Sequence, residues 1–560
     1  MNSFRIAPGP LAVPFDQACA RLDRIGFADA LWSRRLDVWT SDSTTQENIG
    51  NRLGWLGAID FVAPHLPRLK ALAEAIRSGA FTDIVLLGMG GSSLAPEVLR
   101  QVLGVAAGFP RFRMLDSVDP DAVRTAFEHA GTSLFLLASK SGSTIEPNVM
   151  TAEAQRRLLA AGEPQWASRF IAITDDDTAL HRRAVGERFR DVFVNPTDIG
   201  GRYSALSFFG MVPAALMGAD VARLLDTARA MEQACRASVP RDNPGLALGA
   251  LMAAGARTGR DKLTLLLPPR LEAFGLWVEQ LVAESTGKRG KGVVPIAGEN
   301  GGAPWGSDRM AVGVTCGGEA PDPTRLAAVR AANVPLVELD MPDREAIGAE
   351  FFRWEVATAT AGMLMEINPF DEPNVQQAKD ATRALLDSYQ QSGRLPVPEA
   401  HGSLHRATLT LSHAAHDQLA GAPAEAFLRV LQARDYFGLL AYLPPEDPAF
   451  DPPLREFKSA VAARAGCATM FGYGPRYLHS TGQLHKGGAN NGVFVVITAA
   501  ASEDLPIPGE PFSFGVLEMA QAVGDFQSLD RTGRRALHVH LPRRDVDLLQ
   551  QVLGALLRAL

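Results

Sequence analysis

The sequence predicts an α/β protein built on parallel sheets, and three observations carry that prediction. Short, continuous apolar runs end in Gly- or Ser-rich turns, at 83–87 before Gly88-Met-Gly-Gly91 and at 133–138 before Ser139-Lys-Ser-Gly-Ser-Thr144. Helical stretches near 95–107, 120–130 and 147–161 separate such runs. The same alternation returns after a long helical interval near 204–258. Strands that read as unbroken apolar runs are buried on both faces, the condition of parallel strands covered by crossover helices.

Residues 1–80 form a helical segment in this reading, because Leu22, Ile25, Ala28 and Leu31 keep helical spacing. Residues 81–240 form the first αβ unit, with strands at 83–87, 133–138, 170–174 and 191–194. The second unit begins at 241–385, with a strand at 263–267, a helix over 271–286 and strand candidates at 310–315 and 334–339. A mostly helical excursion follows at 386–434. Residues 435–560 complete the second unit through runs at 436–443, 492–497 and 536–539.

Composition narrows the function classes. Of 560 residues, 46% are hydrophobic and 21% charged, which excludes global disorder. Lys plus Arg is 55 against 62 for Asp plus Glu, a net charge of −7, which argues against a basic nucleic-acid-binding chain. Cys19, Cys235, Cys316 and Cys467 lie far apart with no CxxC pair, so neither a disulfide framework nor a zinc knuckle is expected. The start of the chain lacks the pattern of a signal peptide, and no apolar run approaches the ~20 residues that span a bilayer. A soluble, cytoplasmic protein without membrane contact is expected. Only eight of the basic residues are lysines, and Lys140, Lys288, Lys291, Lys379 and Lys486 fall in polar or turn-like segments. A retained lysine suggests a need for a compact ammonium.

The chemistry-bearing segments are few. In an open parallel sheet, ligands bind beyond the carboxyl ends of the strands. Gly90, Gly91 and Ser92 allow close backbone approach. Ser139, Lys140, Ser141, Ser143 and Thr144 offer hydroxyls, amides and a cation at a helix start, which together make a phosphate cradle. Ordinary tight turns are the competing reading. Neither a Walker ending nor a full G-x-G-x-x-G is present. In Gly200-Gly-Arg-Tyr-Ser204, paired glycines can present Arg202 to a developing oxyanion; a solvated surface arginine is the bland alternative. Gln280 and Glu284 share one helix face. Glu284 sits near the helix end, where backbone carbonyls disfavour a carboxylate and push it towards general-base range; pairing with Lys288 is equally open. Lys379 follows Pro373 in a helix and by default is exposed. The turn Tyr477 to Gly488 holds two histidines, His479 and His485, suited to proton transfer. A metal site there is discounted, because no carboxylate or cysteine lies at ligand spacing.

Taken together, Gly88-Met-Gly-Gly-Ser-Ser93, Gly200-Gly-Arg-Tyr-Ser204, Glu284-Ser-Thr-Gly-Lys288 and Ile367-Asn-Pro-Phe-Asp371, in this order, resemble the glucose-6-phosphate isomerase (phosphoglucose isomerase) family over about residues 84–515. The chain looks especially like the isomerase portion of bacterial transaldolase–isomerase fusions. The resemblance implies two sugar-isomerase (SIS) type αβα domains, a homodimer and interconversion of glucose 6-phosphate and fructose 6-phosphate through a cis-enediolate, without metal or cofactor. It assigns Glu284 as the base, Arg202 as the enediolate stabiliser, His479 to ring opening and Lys379 to the neighbourhood of the ring oxygen. Ser139, Ser141, Ser143 and Thr144 would hold the phosphate with Lys140 nearby, and Gln280 would position the sugar. Two departures stand out. The histidine motif follows Lys379 instead of preceding it, which leaves His485 as an alternative to His479. The family's Gln seven residues before the lysine is Glu372 here. Two rival readings remain at this stage: a sugar-phosphate sensor without turnover, and an NAD-dependent oxidoreductase using Gly88–Gly91 and Asp116.

Overall fold

A computed structural model describes residues 3–299 and 304–560. The α/β class with parallel-sheet cores is as expected, and the sheets number three among the described residues. In the first, the strands run in the order Arg111–Leu115, Asp83–Gly88, Ser133–Ala138, Phe170–Asp175, Asp191–Asn195, all parallel. Its central strands Asp83–Gly88 and Ser133–Ala138 are buried along their whole length, which is why they read as apolar runs. The buried Asp83 carboxylate is held by Arg111 and Arg113, each at 2.9 Å.

The second sheet has the order Ser3–Ala7, Leu336–Met341, Arg309–Cys316, Lys262–Leu266, Val294–Ile296. Its first strand pairs antiparallel and comes from the segment expected to be helical; the helices of that segment begin at Ala12–Arg24. Phe4 and Ile6 alternate with more exposed neighbours, the pattern of an edge strand with one covered face.

The runs at 436–443, 492–497 and 536–539 do not extend the second sheet. They belong to a third one, ordered Gly402–Leu404, Ala407–Leu411, Arg535–Leu541, Gly492–Ala499, Tyr436–Tyr442, Ala468–Tyr473. Its four later strands are parallel, while Ala407–Leu411 pairs antiparallel with Arg535–Leu541 and with Gly402–Leu404. The excursion at 386–434 is therefore not mostly helical: beyond the end of the helix Pro373–Ser392 it supplies this hairpin, the short helix His413–Leu419 and the 3₁₀ stretch Ala424–Val430. Nothing in a run of residues says which sheet it joins, because strand pairing is decided by distant partners.

Four helices position the site: α1 (Ile145–Ala160), α2 (Glu272–Thr286), α3 (Pro373–Ser392) and α4 (Phe514–Arg531). Phe514, Leu517, Ala520 and Val523 of α4 pack in the core of the first sheet with Val85, Leu87 and Phe135. Ala522, Phe526 and Leu529 of the same helix join Phe494 and Val496 of the third sheet. One helix thus serves two cores. The four cysteines are free and buried, and no described helix is long and apolar enough to cross a membrane.

Candidate active site

The turn after Asp83–Gly88 brings the site together because two of its residues lack a side chain. Gly90 has φ +56°, and a Cβ there would lie 2.6 Å from the His479 carbonyl oxygen and 3.0 Å from Gln280 Nε2. A Cβ on Gly91 would lie 2.0 Å from the Gly201 carbonyl oxygen, which no real side chain tolerates. Backbone therefore meets backbone, and the segments bearing Arg202, Gln280 and His479 converge on one spot. Ser92 is buried behind them.

Glu284 lies in the last turn of α2 and is 8% exposed. Arg202 Nη1 stands 3.2 Å from Glu284 Oε1. One turn earlier, Gln280 Nε2 lies 3.3 Å from Glu284 Oε2 and donates to the His479 carbonyl at 2.8 Å. Burial pushes the Glu284 carboxyl up, Arg202 pulls it down, Glu372 pushes it up, and Lys288 and His479 pull it down; the balance is a raised pKa. The helix-end pairing with Lys288 does not form. That lysine donates instead to the Asn368 carbonyl at 2.6 Å and to Asp371 Oδ1 at 2.6 Å. Burial, with Arg202 beside it, lowers the Lys288 ammonium to about 8.

Arg202 is buried on the 3₁₀ turn Gly201–Tyr203, not solvated. It donates to Ser285 Oγ at 2.8 Å, to the Pro369 and Asp371 carbonyls at 2.9 Å each, and to Glu372 Oε2 at 3.0 Å. Every arm of the fork is held, so the cation is fixed before any ligand arrives.

His479 ends the 3₁₀ turn Arg476–His479, and its Nε2 is 2.9 Å from Glu146 Oε1. Glu146 lies in the first turn of α1, buried, and also accepts from Gln521 Nε2 of α4 at 2.7 Å. Burial pushes its carboxyl up, but the His479 charge and these hydrogen bonds outweigh it and hold it below the ordinary value. His485 has a different setting. Its ring is 4.8 Å from Phe494 and 6.1 Å from Tyr477, both nitrogens are buried without a hydrogen-bond partner, and burial drives its pKa far down.

The hydroxyl turn leads into α1 through Thr144, whose side chain makes no cap hydrogen bond. Gly142 has φ +67°, its amide donates to Ser139 Oγ at 3.2 Å, and the exposed Ser141 and Ser143 hydroxyls lie 2.8 Å apart. Lys140 is committed elsewhere: its ammonium bonds to the Asp175 carboxylate and, at 2.8 Å, to the Thr197 carbonyl. Burial raises Asp175 to about 6 against the pull of Lys140. Lys379 is exposed in the second turn of α3. Asp116, the expected ribose partner of a dinucleotide, is buried and bridged by Arg476 at 2.7 and 2.9 Å. Ser285 and Asp371 lie in the sequence motifs but receive no role from them, and Glu146 escapes the sequence argument altogether. Glu146 reads there only as an acid in a first helical turn, a common surface feature.

A family model for phosphoglucose isomerase matches residues 58–308, a stretch that contains the Gly-rich turn, the hydroxyl turn, Arg202, Gln280 and Glu284. The glucose-6-phosphate isomerase of Synechococcus sp. (strain CC9605) is 31% identical over 357 residues, covering 56% of this chain and 67% of that one. That of Parasynechococcus marenigrum (strain WH8102) is 30% identical over 379 residues, covering 59% and 68%. Among solved structures, a hypothetical protein of Thermus thermophilus superposes with a TM-score of 0.57 at 24% identity, covering 68% of this chain and 99% of that one, a likeness of fold. With relatives of that identity matching two thirds of their own length, the chain belongs to the glucose-6-phosphate isomerase family.

Proposed function

We propose that the protein interconverts glucose 6-phosphate and fructose 6-phosphate by proton transfer between C2 and C1. The observation that carries this reading is the Glu284–Arg202 pair at 3.2 Å, tied through Gln280 to the His479 turn. A base, a fixed cation and the turn that carries an acid–base imidazole converge on one spot. His479, oriented by Glu146, would give a proton to the ring oxygen and open the sugar. Glu284 would then take the C2 proton, the C1 carbonyl becoming an enediolate oxygen that faces Arg202; the hydroxyl proton passes from O2 to O1, and Glu284 returns its proton to C1 as C2 becomes the carbonyl. C1 is reduced as C2 is oxidised within the same sugar, so no redox partner is needed. Ser139, Ser141, Ser143 and Thr144, with the amides opening α1, would hold the phosphate. Gly90, Gly91 and Ser92 would line the sugar, and Gln280 would hold it in place. Lys140 would contribute its charge at a distance, since Asp175 holds it, and the exposed Lys379 would have to swing in to reach the ring oxygen. The resemblance supports a cytoplasmic homodimer acting on a free sugar phosphate, with no nucleic acid or membrane partner.

The reading is tested by Glu284→Gln, which keeps the shape and removes the base. The rate of isomerisation in either direction should fall by about 10²–10⁴-fold. Equal rates for variant and parent would refute the assignment. A chelator should leave the parent's rate unchanged.

A further inference from the structure

Glu372 is an ionisable group in the site that the proposed reaction leaves without a role. It stands at the N-cap of α3, directly before Pro373, where a carboxylate ordinarily accepts from the helix amides; its side chain makes no such bond. It reaches across to Arg202 Nη1 at 3.0 Å, the same nitrogen that lies 3.2 Å from Glu284 Oε1. Two carboxylates on separate helices therefore share one guanidinium nitrogen.

Glu372 is not needed to hold Arg202. The bonds to Ser285, Pro369 and Asp371 fix the guanidinium on its other nitrogens. What Glu372 adds is charge. The charged groups facing Glu284 are Arg202 from the Gly201–Tyr203 turn, Lys288 beyond the end of α2, His479 from its own turn, and Glu372 from α3. Asp371 neutralises Lys288, and Gln280 is uncharged. Glu146 pairs with His479. Without Glu372, the base would face Arg202 as an uncompensated cation, beside a lysine and a histidine that each have their own acidic partner, the arrangement that makes a carboxylate a poor proton acceptor. We propose that Glu372 is a positioning residue that divides the charge of Arg202 and so sets the basicity of Glu284, the base of the proposed isomerisation. The inference rests on the isomerase reading and deepens it. The asymmetry of the pair agrees: burial pushes both carboxyls up, but Arg202 holds the half-exposed Glu372 below its ordinary value, whereas Glu284 stays above. Glu372 is the standing anion and Glu284 the group that exchanges a proton.

The test is kcat/KM against pH for the parent, Glu372→Gln and Glu372→Asp. Gln keeps the acceptor for Arg202 and loses the charge; Asp keeps the charge. The acidic limb of the Gln variant should move to lower pH, so that at its foot the variant retains about threefold or more of the parent's relative kcat/KM. Its plateau kcat should fall, because a weaker base accepts the C2 proton less readily. The Asp variant should keep the limb near the parent's. Added salt should move the parent's limb in the same direction as Glu372→Gln, since the Glu372 side chain is 44% exposed and open to screening. An active parent whose limb does not move with Gln, or moves upward, overturns the inference. If the Gln variant fails to fold, an acidic limb of the parent that is indifferent to salt overturns it instead. A parent with no isomerase activity sinks the isomerase reading itself, a separate outcome.

Discussion

His479 and His485 lie six positions apart in one turn-rich segment, yet their surroundings give them opposite chemistry. His479 is 15% exposed, paired with a carboxylate, and joined through its carbonyl to the base-bearing helix. His485 is enclosed by Tyr436, Tyr477 and Phe494 and held neutral. The sequence left either histidine as the ring-opening group, because spacing alone does not say which ring faces a carboxylate. His479→Asn should lower kcat on the cyclic sugar by about 10²-fold. His485→Phe should leave kcat nearly unchanged. It should also raise stability by up to about 1–2 kcal/mol, since it removes two buried nitrogens without hydrogen-bond partners. A loss of turnover in the second variant and not in the first, in parallel assays, would reverse the assignment. The lysines divide in a similar way: Lys288 is buried beside Arg202 although no base role falls to it, whereas Lys379 is exposed in a helix, the default for a lysine at such a position.

At the scale of elements, legibility followed burial. Asp83–Gly88 and Ser133–Ala138 are covered on both faces, so their apolar runs identified them and the turns after them. Ala407–Leu411 has only two polar residues, both threonines, alternating with apolar ones in five positions, and the longer helical stretches around it hid that short signal. The edge strand Ser3–Ala7 is half exposed, and its alternation over five residues is too short to stand out from the helical spacing that follows. The elements that build the site rest on close backbone approach, and Gly91 is the sharpest case. Gly91→Ala places a methyl 2.0 Å from the Gly201 carbonyl oxygen, so the Arg202 turn must yield. A loss of about 1–3 kcal/mol in denaturant unfolding is expected, together with a fall in kcat larger than that of an exposed-site control such as Gly509→Ala. Gly509 has open space around it but φ +84°, so the control also reports the backbone strain alone. Unchanged stability and turnover in Gly91→Ala would mean that the two turns are not in register.

For the whole molecule, the helix Ile347–Leu364 is buried along its entire length and carries a cost. Both carboxylate oxygens of Glu355 lack hydrogen-bond partners, and burial pushes its pKa well above 4.5. The folded chain keeps this proton while the unfolded chain releases it near 4.5. Stability is therefore greatest below that pH and falls as pH rises towards the folded value, by about 1.4 kcal/mol per pH unit for one proton. Glu355→Gln should remove that slope, so its unfolding free energy relative to the parent should improve steadily from about pH 5 to pH 7. A difference that stays constant with pH would show that Glu355 is ionised in the fold. On the same scale, the number of sheets could not be read from the chain. A parallel strand carries no mark of its partners, and α4 covers the first sheet with one face and the third with the other.

The sequence by itself determined the α/β class, the turns at the strand ends and the identity of Glu284, Arg202 and His479 as candidates, because each depends on residue type and short spacing. Only the tertiary structure decided that Glu146 orients His479, that Lys140 is bound to Asp175, and that Arg202 is shared between Glu284 and Glu372. Those pairs join residues up to 333 positions apart. Electrostatic and hydrogen-bond energies depend on distance in space, and a linear order of residues does not contain it.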